Sequence, residues 1–335
     1  MLVVRPVDFP DLQAIEHLAH VAGATMATLP VESNRLYHLI DSTQKSLSKN
    51  IPSPSGESYH FVLIESESDK ILGIAGIISA VGMTAPFYSY RLEEIFHGSD
   101  TLKIYSRIPA LKLCHDYTGY TCLCTFYILP EAESEEALQL LSSARLLFIG
   151  EQRQRFAERI VVELQGIIDE EGRSPFWEDL GYHFLKMNIA HANDLTGLSD
   201  KSFIADLMPK HPIYTPLLSK KARAAIGEVR PDRSHMLDLL EQEGFSYEGY
   251  VDIFDAGPSL ECRTDRLRSI SSSLHIIPEI TNKTTGKPHI IANTSTKDFR
   301  CISASFNADV KSITPKISDT LHLNCQDTIR YISAR

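Results

Sequence analysis

CLCTFYILP (122–130) leads into ESEEALQLLSSARLLFIGEQRQRF (133–156), and this pair of segments decides the fold. The first is a short apolar run rich in aromatic and β-branched residues, and Pro130 closes it, which indicates a buried strand. In the second, apolar residues recur at helical spacing, at Leu140, Ala144, Leu147 and Phe148. That spacing predicts an amphipathic helix.

The flanking segments extend this pattern in both directions. Upstream, LVVRP (2–6) indicates a strand, a helix follows from Leu12, and 59–82 alternates like a β-hairpin around a short polar turn. Downstream, IVVELQG (160–166) indicates a strand, and SPFWEDLGYHF (174–184) begins with Ser and Pro, as capped helices do. This order of elements predicts an α+β fold with a mixed sheet flanked by helices.

The chain as a whole divides into three predicted segments. We expect an N-terminal domain over 1–192, a second α/β unit over 193–269, and a linker with a small C-terminal β module over 270–335. The linker prediction rests on the Ser, Thr, Asn and Pro content of 270–290. Short alternating segments then indicate strands, at HIIAN (289–293), FRCISASF (299–306), TLHLN (320–324) and TIRYIS (328–333).

Composition and charge exclude several classes of protein. The 335 residues carry a net charge of −10, so the clustered cations that bind phosphate backbones are not expected, and neither is a nucleic-acid partner. No apolar stretch reaches the ~18 residues that span a bilayer, and the start MLVVRPVDF lacks a signal peptide's apolar core, which favours a cytoplasmic protein without membrane contact. The six cysteines form no C-x-x-C pair, so we expect free thiols and no metal site.

Six long motifs, in this order along the chain, resemble the arginine N-succinyltransferase family. They are RPVDFPDL (5–12), APFYSYR (85–91), CHDYTG (114–119), SPFWEDLGYHF (174–184), ADLMPKHPIY (205–214) and YVDIFDAGPSLEC (250–262). Some members of this family have two related subunits. Other strings resemble the alpha-type subunit of those members, namely SYHFVLIE (58–65), LCHDYTG (113–119), FYILPE (126–131) and SARLLFIG (143–150).

The resemblance implies a fold and a reaction. The fold is the acetyltransferase-like (GNAT) fold of acyl-CoA N-acyltransferases, and the helix ending at Gly244 with the strand after it fits a second, partial copy of it. The reaction is succinyl transfer from succinyl-CoA to the α-amino group of L-arginine, in arginine catabolism. The implied ligands are these two small molecules, with no tightly bound cofactor. The implied assembly is a homo-oligomer or a hetero-oligomer with a related subunit.

The resemblance also implies site residues. Phe126 and Tyr127 lie on the strand whose backbone lines the acyl-CoA. Residues expected to bind the amino-acid substrate are Tyr90, Arg91, His115, Asp116 and His211. A turn stabilised by the Asp116 side chain explains that residue equally well. Asp252, Asp255 and Glu261 are open to a structural or a functional interpretation.

Three positions depart from the family's pattern. The loop after the central strand reads EAESEEAL (131–138), where a glycine-rich, basic loop would bind the pyrophosphate, although acidic residues there also suit a helix start. Arg230 stands at the place of the proton-donor histidine, and arginine keeps its proton at working pH. Cys122 stands at the place of a glutamate; a buried core thiol is the alternative to a catalytic role.

These departures leave three interpretations of the function. The chain is a catalytic arginine N-succinyltransferase with a rearranged coenzyme loop, a non-catalytic alpha-type subunit that supports a competent partner, or a pseudoenzyme that binds arginine or a protein. The motifs favour the first interpretation. The chemistry of Arg230, Cys122 and 131–138 favours the other two.

Overall fold

The computed structural model describes residues 1–23, 26, 28–196, 206–282 and 286–334. Its elements form an α+β protein with antiparallel and parallel strand pairs flanked by helices, as the sequence predicted. The described residues form two compact units, one from 1–80, 121–159 and 263–335, the other from 81–120 and 160–262. Each unit is assembled from separate stretches of chain, whereas the predicted segments 1–192, 193–269 and 270–335 are continuous. Those boundaries stay a prediction.

The first unit is built on one long run of paired strands. In sheet order these are β11 (Leu274–Ile276), β16 (Ile329–Ser333), β13 (Lys287–Asn293), β14 (Cys301–Phe306), β1 (Leu2–Pro6), β2 (Ser58–Glu65), β3 (Ile71–Ile78) and β6 (Thr121–Ile128). A separate parallel pair joins β12 (Glu279–Ile280) to β15 (Ser312–Ile313). The helices are α1 (Leu12–Ala22), α2 (Ser33–Ser48), α3 (Glu135–Glu151), α9 (Arg268–Ser271) and α10 (Pro315–Thr320).

Apolar residues of α1, α2 and the strands pack in one buried cluster, with Ile15, Ile40 and Ile74 fully buried. The α3 helix contributes Phe148, whose ring lies 5.0 Å from Phe61 and 5.5 Å from Tyr59 of β2. The strand and helix predicted from 122–156 are thus confirmed as β6 and α3, and so is the β2–β3 hairpin.

The small C-terminal β module stays a prediction, and the structure gives the pairing of its strands. The β14 strand pairs antiparallel with β1, placing Val3 opposite Ile302, so these strands extend the sheet of the first unit. The predicted linker 270–290 contains β11, β12 and the start of β13. TLHLN (320–324) is not a strand: α10 ends at Thr320 and a turn follows, because Thr314 and Pro315 start a helix in a segment whose alternation looked β-like.

The second unit has its own strands and short helices. In sheet order its strands are β7 (Arg159–Glu163), β10 (Pro258–Arg263), β9 (Ser246–Val251), β4 (Ser89–Ser99), β5 (Ile104–Cys114) and β8 (Ile213–Tyr214). The helices are α4 (Pro175–Asp179), α5 (Gly181–Leu185), α6 (Ile189–Thr196), α7 (Lys220–Ala225) and α8 (Ser234–Glu243). Whether this unit is a second, partial copy of the first stays a prediction.

Trp177 is the centre of the second unit's core. It is 1% exposed, its ring lies 5.4 Å from that of Phe254, and its indole N–H donates to the Met187 carbonyl at 2.9 Å. Ser174 caps α4 as predicted, its hydroxyl accepting from the Trp177 N–H. A Cβ at Gly181 would lie 2.2 Å from Trp177 Cε3, so only glycine fits there.

The described residues include no helix long and apolar enough to cross a membrane. They also contain no group of three or more His, Cys, Asp or Glu placed to hold a metal ion.

Candidate functional site

A half-exposed polar cluster in the second unit joins two of the predicted site residues. Arg91 on β4 donates from Nη1 to Asp116 Oδ2 at 3.2 Å and from Nε to Glu93 Oε1 at 2.9 Å. Tyr250 on β9 lies opposite Arg91 in the sheet and donates its hydroxyl to the same Asp116 Oδ2 at 3.0 Å. The sheet register therefore brings a cation, two carboxylates and a phenol together.

The charges of this cluster are partly compensated. Hydrogen bonding to Glu93 is the main reason that the pKa of Arg91 is raised, with Tyr250 adding to it. Both described hydrogen bonds to the Asp116 side chain go to Oδ2, and among the described residues none reaches Oδ1. The Asp116 side chain is 42% exposed.

Aromatic residues support the cluster from one side. The ring of Tyr117 lies 4.9 Å from that of Tyr250 and is almost fully buried. Burial, with the negative charges of Glu261 and Glu163, raises the pKa of Tyr117. His115 is exposed, next to Asp116, and its ring lies edge-on to Tyr88 at 6.5 Å.

Two predicted substrate residues are placed elsewhere. Tyr90 is fully buried among the core residues of the second unit, because alternation along β4 turns it to the face opposite Arg91. His211 is exposed two residues before β8, and among the described residues it makes no hydrogen bond to the cluster. Packing accounts for Tyr90, and the substrate-binding role of both residues stays a prediction.

Asp255 anchors the backbone of the second unit. Its Oδ2 accepts from the Gly166 N–H at 2.9 Å and its Oδ1 from the Gly257 N–H at 2.8 Å. Asp252 Oδ1 accepts from the N–H groups of Phe254 and Asp255. Burial, with the charge of Asp252, raises the pKa of Asp255 to about 7. Both oxygens of Asp255 and one oxygen of Asp252 accept from backbone N–H groups, which gives these residues a structural position.

Arg230 lies beside this anchored backbone. Its N–H donates to the Gln165 carbonyl at 2.9 Å, and its side chain pairs with Asp232 at 2.7 Å. The Arg230 side chain is 27% exposed. The position is therefore fixed by the main chain, and the side chain carries a permanent charge.

The residues predicted to contact acyl-CoA lie on β6 of the first unit. Phe126 is half-buried, and Arg145 of α3 stacks on its ring at 4.8 Å. Tyr127 is buried in the cluster formed with α1 and α2. Cys122 is also buried, its thiol donating to the neighbouring Leu123 carbonyl at 3.6 Å. Cys122 is thus a core residue of the strand, and its catalytic role stays a prediction.

The β6 strand is irregular between Cys124 and Phe126. Thr125 has a φ of 49°, in the left-handed region, and the pairing with β3 shifts register there, which is a β-bulge. The Thr125 N–H donates to Thr28 Oγ1 at 3.2 Å, and the Thr125 hydroxyl donates to the Thr28 carbonyl at 3.1 Å. In the middle of the strand, the backbone N–H of Thr125 therefore binds a side chain.

The acidic segment after β6 starts a helix. Ser134 caps α3 by accepting from the Ala137 N–H, and Glu135 and Glu136 occupy its first turn. Carboxylates there favour the helix through its dipole. The interpretation of these glutamates as helix-start residues is confirmed, and their effect on coenzyme binding stays a prediction.

Sequence reasoning missed Tyr250, Glu93 and Arg145. Tyr250 was within a recognised motif, but only the β4–β9 pairing shows that it meets Asp116. Arg145 had a signal of its own, since it interrupts the apolar run Ala144–Arg145–Leu146–Leu147 in a helix with a buried face.

Comparisons with known proteins agree along the whole chain. The family described as "Arginine N-succinyltransferase beta subunit" matches residues 2–269, and its C-terminal domain matches 273–333. The "Arginine N-succinyltransferase subunit beta" of Pseudomonas aeruginosa is 39% identical, covering 99% of this chain and 98% of the relative. The "Arginine N-succinyltransferase" of Yersinia enterocolitica is 38% identical, with the same coverage of each chain.

A solved structure has the same fold. It is arginine/ornithine succinyltransferase subunit AI from Pseudomonas aeruginosa, with a TM-score of 0.92, 34% identity, and coverage of 99% of this chain and 98% of that one. The named relatives thus include a beta subunit and a subunit AI. That this chain is more similar to the alpha-type subunit stays a prediction. The chain belongs to the arginine N-succinyltransferase beta subunit family.

Proposed function

We propose that this protein transfers the succinyl group of succinyl-CoA to the α-amino group of L-arginine. The observation that carries the proposal is the 37–39% identity to relatives named for this activity, along 99% of the chain. The non-catalytic and pseudoenzyme interpretations remain as outcomes of the test below.

The polar cluster of the second unit suits an amino acid with a cationic side chain. Arginine carries a guanidinium, whose N–H groups donate to a carboxylate oxygen in a charge-assisted hydrogen bond. We assign this contact to Asp116, because its Oδ1 receives no described hydrogen bond and the group is half-exposed. Arg91 and Tyr250 position that carboxylate, and Arg91 is a cation toward which the substrate's own carboxylate can turn.

The acyl transfer itself needs the amine to attack the thioester carbonyl and the resulting oxyanion to be stabilised. The amine must also lose a proton, and the thiolate must leave. Arg230 can stabilise negative charge but cannot accept a proton, because its guanidinium stays protonated at working pH. We therefore assign Arg230 to charge stabilisation, held in place by its main-chain bond to Gln165.

The direct test is release of coenzyme A thiol from succinyl-CoA when L-arginine is added, with mass spectrometry for N-succinylarginine. Cys325 is exposed and will react with thiol reagents, so a blank without arginine is needed. Arginine-dependent thiol and product together support the proposal. If neither forms, the proposal fails. Thermal shifts with each ligand then separate a binding-competent pseudoenzyme from a chain that binds neither.

We also propose that the protein works in an assembly, since its relatives include proteins named as subunits. Light scattering of the purified protein tests this, and a mass equal to one chain would contradict self-association. Turnover that appears only after a related subunit is added would indicate that this chain has a non-catalytic role in the assembly.

A further inference from the structure

Among the described residues of the first unit three arginines are buried, and they differ in their partners. Arg155, 6% exposed, donates to the carbonyls of Ser46 and Lys49 at 2.9 Å and to the Tyr59 hydroxyl at 3.3 Å, although its Nε has no partner. Arg330, also 6% exposed, pairs with Glu151 at 3.5 Å and donates to Ser273 and Ile270. Both guanidinium groups are well supplied with acceptors.

Arg145 is the exception. It is 1% exposed, its Nε has no hydrogen-bond partner, and its only hydrogen bond among the described residues is a 3.5 Å contact from Nη1 to the Cys124 carbonyl. No carboxylate in the described part of the chain pairs with it, and its guanidinium carbon lies 4.8 Å from the centre of the Phe126 ring, over the ring face. Burial lowers its pKa to about 10.

A buried cation with so little compensation is costly. Removing an ion from water is unfavourable unless a counter-ion and hydrogen bonds replace the solvent, and an aromatic face offsets only part of that cost. The other two buried arginines have the acceptors that Arg145 lacks. The arrangement is therefore suited to an anion that enters with a ligand.

We infer that Arg145 binds the free carboxylate of the succinyl group, so that it selects succinyl-CoA over acyl donors without a terminal carboxylate. This inference rests on the proposed function. A guanidinium fork matches a carboxylate in two parallel bonds, which would occupy donors that are idle in the free protein. Phe126, half-buried on β6, covers the guanidinium and is the side chain that must rotate to admit the ligand.

The first experiment compares acyl donors. The wild type, Arg145→Lys and Arg145→Met are assayed with succinyl-CoA and with acetyl-CoA, each with L-arginine. We expect Arg145→Met to lower kcat/KM for succinyl-CoA by roughly 100-fold, as loss of a charged hydrogen-bond pair does, and to leave the acetyl-CoA value within about threefold. Arg145→Lys keeps the charge without the fork, so its kcat/KM for succinyl-CoA should lie between those of the wild type and Arg145→Met. Equal losses with both donors would overturn the inference.

The second experiment separates binding from a structural role without using turnover. Succinate should raise the melting temperature of the wild type and not that of Arg145→Met. Phosphate, which a guanidinium fork can also bind, should raise that of the wild type less, because only succinate has methylene groups to pack against the Phe126 ring. Without ligand, Arg145→Met should melt no lower than the wild type, since it removes an uncompensated charge. The matched control Arg155→Met should melt lower, because it leaves three acceptors unpaired.

The outcomes are distinct from those of the proposed function. If the wild type turns over neither acyl donor, the proposed function fails. The change in melting temperature with succinate still shows whether Arg145 binds a carboxylate. A drop in the melting temperature of ligand-free Arg145→Met as large as that of Arg155→Met would show that Arg145 is structural. An equal shift with phosphate would show a general anion site and would overturn the assignment to succinyl.

Discussion

Asp116 and Tyr250 are 134 residues apart in the chain, yet the Tyr250 hydroxyl donates to Asp116 Oδ2 at 3.0 Å. The link exists because β9 pairs with β4, which places Tyr250 opposite Arg91, and Arg91 reaches the same oxygen. One carboxylate oxygen is thereby fixed by two donors, while the other accepts no hydrogen bond from the described residues. The turn that contains Asp116 is thus part of a polar cluster that depends on sheet pairing.

The first prediction concerns this pair. Asp116→Asn removes the charge that we assign to the substrate guanidinium, and the KM for L-arginine should rise by about 10- to 100-fold. Tyr250→Phe removes one positioning bond, and a rise of about threefold is expected. The KM for succinyl-CoA should not change. Tyr247→Phe, on the same strand but outside the cluster, is the control; an equal effect there would refute the assignment.

The second prediction concerns Asp255, whose two oxygens bind backbone N–H groups. In Asp255→Asn an amide N–H₂ must face one of these donors, so the free energy of unfolding should fall by about 1–3 kcal/mol. Circular dichroism in urea measures this. An unchanged free energy of unfolding would show that the two hydrogen bonds contribute nothing.

The third prediction gives the pH dependence of the same residue. The pKa of Asp255 is raised in the folded state from 3.8 to about 7, so the folded chain holds a proton that the unfolded chain releases. Its contribution to stability is complete below pH ~4 and is lost as the pH rises through ~7. The wild type should therefore lose stability toward pH ~8 relative to Asp255→Asn. Parallel pH profiles of the two proteins would contradict this.

The fourth prediction uses Trp177, the single tryptophan of the chain. In Gly181→Ala the added methyl would lie 2.2 Å from the indole, so the ring must move. We expect a loss of about 1–3 kcal/mol in the free energy of unfolding and a red-shifted fluorescence maximum. Gly98→Ala, where the nearest atom belongs to the exposed Tyr105, should change stability by less than ~0.5 kcal/mol.

The fold followed from local patterns more fully than the site did. The β6–α3 pair, the β2–β3 hairpin and the Ser174 cap are local features, and periodicity with capping rules predicted all of them. The β1–β14 pairing joins residues almost 300 positions apart, as Val3 and Ile302 show, and no local pattern encodes a partner at that distance. Local patterns therefore predicted strands in the C-terminal segment but not their pairing with β1.

The site residues divide in the same way, into those that local motifs predict and those that depend on strand pairing. Motif resemblance selected Arg91 and Asp116, which the structure brings together, but it also selected Tyr90, which strand alternation turns into the core. Tyr250 escaped notice because its role depends on strand pairing. Arg145 could have been found, since an arginine on the buried face of a helix needs a reason.

The fifth prediction concerns Arg230 and the acid–base chemistry. The main-chain hydrogen bond to Gln165 fixes the position of residue 230, so Arg230→His should place an imidazole there. An imidazole can exchange a proton near neutral pH. If Arg230 acts only through its charge, kcat of the wild type lacks a titration step near pH ~6.5, and Arg230→His gains one. Arg230→Lys keeps the charge without a group that titrates there, so it should retain the flat profile. A titration step near pH ~6.5 in the wild type would show that another residue already transfers the proton, and an unchanged profile in Arg230→His would show that position 230 lies outside the reaction.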